Sequence, residues 1–359
     1  IMQNNQAIPF NKENFKQILS KEFALVIIIS IPSAMIAGYF NVPLAWFLGP
    51  MLITSLASLA GFKTKMPRLV LSAVLIFLGL YIGNYIDKTL FSQIQQWAWT
   101  SLIMLVYIIL SVLLVSKYLQ KFSNYDKKTS IFSAAPGALG PLMILAEDEK
   151  SDLSQVATSH LIRLIIIITV FPFIVNTLHD AKDINLVTEI IKDQNIYHLF
   201  ILLALSIFLI LVFDKFKIPA ALLTGTLVAS GFLQITEIAA YKLPPNVIDY
   251  CLLILGSSVG CRFADKSFGE IKRNALHSFV ATFFLVLLGL VAAFVAGLII
   301  DKNFFTLLLS YCPGGIYEVA VIAIFFDLDP EFVSFHHIIR LLMILFIVPL
   351  MLKVVVKKA

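Results

Sequence analysis

Charged residues are scarce in this chain of 359 residues. Asp, Glu, Lys and Arg make up 14% of the sequence, whereas a soluble protein typically has about 25%. Hydrophobic residues make up 59%, and the mean hydropathy is +0.92. The apolar residues fall into repeated runs of about 20, which is the length of a membrane-spanning helix. The composition therefore excludes an ordinary soluble domain and predicts an all-α integral membrane protein.

Cysteine and histidine are also scarce, and each shortage excludes a class of function. The three cysteines lie in apolar stretches and match neither a disulfide framework nor a metal-binding spacing. The six histidines are dispersed, apart from the adjacent His336 and His337, whereas a copper oxygenase needs clustered imidazoles. The net charge of +5 comes without a basic arm or a zinc finger. We therefore expect no catalytic residues, no metal, no cofactor and no nucleic-acid partner, and a protein that is not an enzyme.

The chain contains one unit twice, with the two copies 177 residues apart. The matching pairs include a Pro-Gly break, a histidine and an arginine: Pro136 and Pro313, Gly137 and Gly314, His160 and His337, Arg163 and Arg340. The arginines lie inside apolar sequence, where both a charge and a helix break are costly. The duplication predicts a polar cytoplasmic leader at 1–19, a first membrane repeat at 20–178, a linker at 179–195 and a second repeat at 196–359.

The topology depends on whether the element with the Pro-Gly break crosses the membrane. If all six apolar elements of each copy crossed, the copies would be parallel and the basic segment 262–273 would lie outside. If the fifth element is a re-entrant hairpin, each copy crosses five times and the copies are inverted. The inverted arrangement places more Lys and Arg in the cytoplasm, as the positive-inside rule requires. We therefore expect about ten transmembrane helices plus two re-entrant hairpins in two inverted repeats, with both termini cytoplasmic.

Inverted repeats with broken helices at mid-membrane are typical of secondary transporters. A break frees backbone amides at the start of the following arm, and these amides, with the helix dipole, favour an anion. Two tips that enter from opposite faces would build one site near the midplane. The alternative is that each break only kinks a spanning helix. The predicted substrate-binding residues are Ser133, Pro136, Gly137 and Ala138 in the first copy, Pro313, Gly314 and Gly315 in the second, and the arginines Arg163 and Arg340.

The charged and titratable residues near the breaks each have two interpretations. Each arginine either binds a substrate carboxylate through its planar guanidinium or caps carbonyls that the break has freed. We expect Arg340 to matter more for substrate and Arg163 more for structure. Glu318 either binds a coupling cation or proton, or serves as an internal partner of Arg340. His160 and His337 either titrate near neutral pH or pack as hydrogen-bonded residues. Glu318, His337 and His160 are therefore the candidates for ion or proton coupling.

Small residues recur four positions apart in both copies, at Gly79 and Gly83 and again at Gly256 and Gly260. Such grooves let two helices approach closely. We therefore expect these faces to pack against neighbouring helices.

The motifs at the two breaks resemble the AbrB family of bacterial inner-membrane proteins, which carry a tandem membrane duplication. The resemblance covers about 20–355 and rests on 133–138, on 313–318 and on 336–340. It implies a multi-pass protein of the bacterial inner membrane. Glutamine is common in the family where this chain has His160, so the resemblance implies no shared histidine chemistry at this position. Family members are labelled as ammonia monooxygenases or as regulators, and neither label follows from these residues.

These observations predict a secondary active transporter of a small organic anion or amino acid, coupled to H⁺ or Na⁺ and elevator-like in its movement. The expected partners are the small-molecule substrate, the coupling cation, membrane lipid and a second copy of the chain in a homodimer. The alternative is a membrane regulator or sensor that acts indirectly on gene expression. A membrane monooxygenase is the least favoured reading.

Overall fold

The computed structural model describes residues 12–86, 90–178, 196–218, 220–239, 246–264 and 266–356. Every regular element in these ranges is an α-helix, so the predicted all-α class is confirmed. The predicted linker 179–195 lies outside the described residues. The helices are α1 (Lys12–Ile18), α2 (Lys21–Tyr39), α3 (Ala45–Leu59), α4 (Arg68–Gly83), α5 (Leu90–Phe122), α6 (Lys127–Ala134), α7 (Leu139–Asp148), α8 (Leu153–Leu178), α9 (Ile196–Lys215), α10 (Ala221–Thr236), α11 (Asn246–Cys261), α12 (Phe268–Gly297), α13 (Phe304–Tyr311), α14 (Ile316–Phe325) and α15 (Pro330–Val356).

Six helices of the described ranges are long and apolar enough to cross a bilayer, namely α2, α5, α8, α9, α12 and α15. Four shorter apolar helices, α3, α4, α10 and α11, have 15 or 16 residues. At 1.5 Å per residue they measure about 23 Å, against a hydrocarbon core of about 30 Å. The protein is therefore a multi-pass helical membrane protein.

The helices form two compact units. The first unit takes its described residues from 1–90 and 180–266 and contains α1–α4 and α9–α11. The second, which we call the hairpin unit, takes them from 91–179 and 267–359 and contains α5–α8 and α12–α15. Each copy of the duplicated sequence thus contributes its earlier helices to the first unit and its later helices to the hairpin unit.

Glycine contacts hold the first unit together. Gly79 and Gly83 of α4 lie against α10, and Gly256 and Gly260 of α11 lie against α3. A Cβ atom at any of these four positions would overlap the partner helix, so only glycine permits the observed approach. The predicted packing faces are confirmed, and each of them joins a helix of one copy to a helix of the other.

The hairpin unit contains two interrupted helices. In the first copy α6 ends at Ala134 and α7 begins at Leu139, and in the second copy α13 ends at Tyr311 and α14 begins at Ile316. The residues between them are non-helical and include the two Pro-Gly pairs. Proline disfavours the helical conformation of the residue before it, and Ala135 and Cys312 are both extended, with ψ of 129° and 131°, so both helices end here. The helix breaks therefore occur at the two Pro-Gly pairs, as predicted from the sequence.

The outer ends of each interrupted helix meet. Lys128, near the start of α6, forms an ion pair with Glu149, just after α7, with 2.7 Å between Nζ and Oε2. Lys302, just before α13, forms an ion pair with Asp329, after α14, with 2.7 Å between Nζ and Oδ1. Two successive helices whose outer ends touch must reverse direction at the break. We call 127–148 the first hairpin and 304–325 the second hairpin. Their tips are the non-helical residues 135–138 and 312–315.

Candidate functional site

All of the predicted site residues lie in the hairpin unit: Ser133, Pro136, Gly137, Ala138, His160, Arg163, Pro313, Gly314, Gly315, Glu318, His337 and Arg340. The two hairpins supply the break residues and Glu318, while α8 and α15 supply the histidines and arginines. Helix α8 packs against α6 and α7, and α15 packs against α13 and α14. Each long helix thus presents a histidine and an arginine, three residues apart on one face, to the hairpin of its own copy.

Arg163 ties α8 to the first hairpin. Its Nη1 donates a hydrogen bond to the carbonyl of Ala135 at 2.6 Å, and its Nη2 donates to the carbonyl of Ser133 at 2.5 Å. One turn earlier, Nε2 of His160 donates to the carbonyl of Phe132 at 3.0 Å. These carbonyls belong to the end of α6 and to the break, where the helix cannot supply donors. In the first hairpin the arginine therefore caps carbonyls that the break has freed.

Arg340 repeats this arrangement in the second hairpin. Its guanidinium donates to the carbonyl of Cys312 and, from Nη2 at 2.6 Å, to that of Gly314. His337 donates from Nε2 to the carbonyl of Leu309 at 2.9 Å and accepts at Nδ1 from Arg340 at 3.0 Å. Because one ring nitrogen donates and the other accepts, these contacts assign His337 the neutral tautomer with its proton on Nε2. The contacts of both histidines match the packing interpretation.

Arg340 also lies against the first hairpin. A Cβ atom built on Gly137 would stand 2.9 Å from Nη2 of Arg340 and 3.3 Å from its Nε. Gly137 has a φ of +109°, so both its backbone and its surroundings demand glycine. At the second tip, the atoms nearest to a Cβ built on Gly314 are methyl groups of Val319, at 2.6 Å, and of Ile167 of α8, at 3.6 Å. Arg340 is therefore a side chain that contacts the tips of both hairpins.

Glu318 occupies the first turn of α14 and is 1% exposed. A Cβ atom built on Gly315, the N-cap residue, would overlap Oε2 of Glu318, so the carboxylate folds back over the start of its own helix. An acid three residues after the N-cap is in the capping-box position, and the helix dipole favours its negative charge. Glu318 thus places an internal carboxylate at the N-terminus of α14.

Tyr107 is a residue near the site that the sequence reasoning missed. It lies on α5, is 2% exposed and is within electrostatic reach of both Arg163 and Arg340. Its hydroxyl donates to the carbonyl of Leu285 on α12 at 3.4 Å. A tyrosine in the middle of an apolar spanning helix was the available signal, because a buried hydroxyl needs a partner. In the described ranges, His, Cys, Asp and Glu form no group of three or more that is placed to hold a metal ion.

The fold and the site define a class of protein: a multi-pass helical membrane protein with an internal duplication, in which each copy contributes a broken hairpin capped by a buried arginine. The chain belongs to the AbrB family, whose model is described as "Transition state regulatory protein AbrB" and matches residues 3–89 and 46–356. The family resemblance of the break motifs is therefore confirmed.

Two curated relatives cover most of the chain. The "Uncharacterized protein YhjN" of Bacillus subtilis (strain 168) is 21% identical over 347 residues, which are 90% of each chain. The "Putative regulator AbrB" of Escherichia coli (strain K12) is 23% identical over 310 residues, which are 85% of this chain and 88% of the relative. No solved structure matches the chain at a significant level.

Proposed function

We propose that this protein is a secondary active transporter that carries a small organic anion or amino acid across the bacterial inner membrane. The observation that carries the proposal is the pair of broken hairpins in one compact unit, with Arg340 touching the tips of both. Broken helices that expose backbone groups at membrane depth are tolerated only where protein or a cavity satisfies them. In transporters built from repeats, such breaks form the substrate site.

The proposed topology has ten crossings, made by the six long helices and by α3, α4, α10 and α11. The two hairpins are re-entrant, the two repeats are inverted and both termini are cytoplasmic. The hairpin arms have 8 or 10 residues, which gives about 12–15 Å and places each tip near the middle of the bilayer. The ion pairs Lys128–Glu149 and Lys302–Asp329 at the outer ends support this arrangement, because charges belong at the membrane surface.

Labelling of a single cysteine tests the topology. Phe268 begins α12 and is 66% exposed, so a Phe268→Cys variant, with the native cysteines replaced, presents an accessible thiol. In the inverted arrangement position 268 is cytoplasmic. We therefore expect an impermeant maleimide to label it only after the cells are permeabilised. Labelling in intact cells would contradict inverted repeats.

Reconstitution tests the transport activity. The purified protein in liposomes should take up labelled monocarboxylates or amino acids when a H⁺ or Na⁺ gradient is imposed. A stable reconstituted protein that takes up none of these under either gradient would contradict the proposal. The coupling ion, the elevator-like movement, the homodimer and the absence of enzyme activity remain predictions.

A membrane regulator or sensor is the second candidate, and the name of the Escherichia coli relative favours it. Such a protein would bind a ligand at the same tips and act on gene expression indirectly. Ligand binding to the purified protein without uptake into liposomes would favour this candidate over the transporter.

A further inference from the structure

We infer that the anionic substrate binds at the N-terminus of α7 in the first hairpin, that Glu318 fills the equivalent place in the second hairpin, and that the substrate is a monocarboxylate. This inference rests on the proposed function and deepens it. It predicts that two structurally equivalent helix N-termini have different roles. One binds the substrate, and the other is occupied by the side chain of Glu318.

The start of α7 is open and lacks an acid. Its N-cap residue Ala138 provides no side-chain hydrogen bond, and the residue equivalent to Glu318 is Pro141, 177 positions earlier. The amides of Leu139 and Gly140 have no partner within the helix, as in any first turn. Gly140 is exposed, and a Cβ atom built there would have no neighbour within 4 Å. The first turn of α7 therefore has unfilled space at the side-chain position of Gly140.

Two buried polar groups beside this tip lack hydrogen-bond partners. Arg340 is 2% exposed, its Nε has no partner, and this atom lies against Gly137, immediately before the N-cap of α7. The hydroxyl of Ser133, at 0% exposure in the last turn of α6, also has no partner. The equivalent serine of the second hairpin, Ser310, donates to the carbonyl of Thr306 at 2.8 Å. In this pair of equivalent serines, the hydroxyl without a partner is the one in the first hairpin, whereas Nε lacks a partner in both Arg340 and Arg163.

The balance of buried charge indicates the charge of the ligand. Among the described residues, the fully buried side chains with a formal charge are Arg163, Arg340 and Glu318. If Glu318 is ionised, two guanidinium groups and one carboxylate leave one positive charge in excess. An uncompensated charge inside a bilayer is costly. One bound carboxylate removes the excess, whereas a dianion reverses it.

An introduced carboxylate at the tip should compete with the ligand. Gly140→Asp places an acid in the first turn of α7, where space is open and the dipole favours it. Gly140→Asn is the matched control, because it has the same shape and no charge. The probes are lactate, pyruvate and benzoate, with succinate as the dianion, each compared with chloride at equal ionic strength. The readout is the melting temperature of the full chain in neutral detergent.

We expect at least one monocarboxylate to raise the melting temperature of the wild-type protein by about 2 °C or more at saturation. Gly140→Asn should keep a clear shift, and Gly140→Asp should lose it. If Gly140→Asp does not fold, Pro141→Glu introduces the acid at the position equivalent to Glu318. Pro141→Gln is then the uncharged control. An Asp or Glu variant that keeps the full shift, a larger shift with succinate, or no shift with any monocarboxylate would each overturn the inference.

Uptake into liposomes separates this inference from the proposed function. If wild-type and Gly140→Asp proteins take up the same labelled substrate equally well, the α7 site is wrong and the transporter stands. If no substrate is taken up but lactate, pyruvate or benzoate still stabilises the wild-type and not the Asp variant, the site stands and the transport activity is wrong.

Discussion

The two hairpins share one construction and differ at their tips. Each begins at a side-chain N-cap, is broken by Pro-Gly and is capped by an arginine three residues after a histidine. The second hairpin holds a buried carboxylate, Glu318, in the first turn of α14, whereas the first turn of α7 has the exposed Gly140 and has Pro141 in the equivalent position. The comparison teaches that the two copies share one backbone construction and differ in the charge that they carry at the start of the second arm. The first copy has no acid at the equivalent position and has open space at Gly140.

The largest expected losses of stability occur at the two arginines, and the response to ligand distinguishes one arginine from the other. Lysine keeps the charge but cannot make both carbonyl hydrogen bonds, so Arg163→Lys and Arg340→Lys should each lower the free energy of unfolding by about 2–3 kcal/mol. Arg340→Lys should also lose the ligand-induced rise in melting temperature, because Arg340 contacts the first tip. Arg163→Lys should keep that rise. A stable Arg163→Lys protein that binds no ligand, beside an Arg340→Lys protein that binds normally, would reverse the assigned roles.

The next comparison concerns the tip glycines. Gly137→Ala would force an L residue to a φ of +109° and push its Cβ into the guanidinium of Arg340. Gly314→Ala would meet a methyl group of Val319, with no left-handed backbone to strain. We expect Gly137→Ala to be the more destabilising by about 1–2 kcal/mol and to weaken ligand binding as well. Equal losses in thermal melts of the two variants would show that the tips are under the same constraint.

Two features of the hairpins could be predicted because they depend on local chemistry. Proline disfavours a helical residue before it and glycine weakens a helix, so the adjacent pairs at 136–137 and 313–314 predict a helix end. An intramembrane arginine must find acceptors, and a nearby break supplies free carbonyls. Capping was one of the two uses that the sequence left open for Arg163 and Arg340. The place of Glu318 also had a local signal, since it follows the N-cap Gly315 by three residues.

The remaining features depend on contacts between distant parts of the chain. Arg340 and Gly137 are about 200 residues apart, and no local pattern indicates that they touch. The division of each copy between two compact units is likewise invisible in the sequence, because the repeat boundary and the unit boundary differ. Ser133 and Ser310 occupy equivalent positions, yet Ser310 bonds a carbonyl one turn earlier in its own helix while Ser133 has no partner, and the sequence does not indicate this difference.

Those two serines offer a smaller test of the same comparison. Ser310→Ala removes a buried hydrogen bond and should lower the free energy of unfolding by about 1 kcal/mol. Ser133→Ala removes a buried hydroxyl without a partner, so the ligand-free protein should be as stable as wild type or slightly more stable. The ligand-induced shift should fall in Ser133→Ala and persist in Ser310→Ala. Melting curves with and without a stabilising monocarboxylate decide this, and the opposite pattern would place the ligand at the second tip.

The smallest expected effect concerns the ion pairs that close the outer ends of the hairpins. The side chains of Lys128 and Glu149 are 35% and 45% exposed, and those of Lys302 and Asp329 are 13% and 30% exposed. Asp329 also accepts a hydrogen bond from Thr306, within the second hairpin, at 3.2 Å. An exposed pair contributes little because water screens it, so Lys128→Ala should change the free energy of unfolding by less than about 0.5 kcal/mol.

Lys302→Ala should cost more, about 1 kcal/mol, because its pair is less exposed and Asp329 loses one of two partners. Melting temperatures in low and high salt measure both effects, and salt should reduce the difference between Lys302→Ala and wild type. Lys128→Gln and Lys302→Gln serve as controls that keep most of the side-chain length without the charge. If Lys128→Ala is the more destabilising variant, the ion pair at the outer end contributes more to the stability of the first hairpin than the corresponding pair contributes to the second. The open tip of the first hairpin would then be held in place from the membrane surface, and the contrast between the hairpins would extend along their whole length.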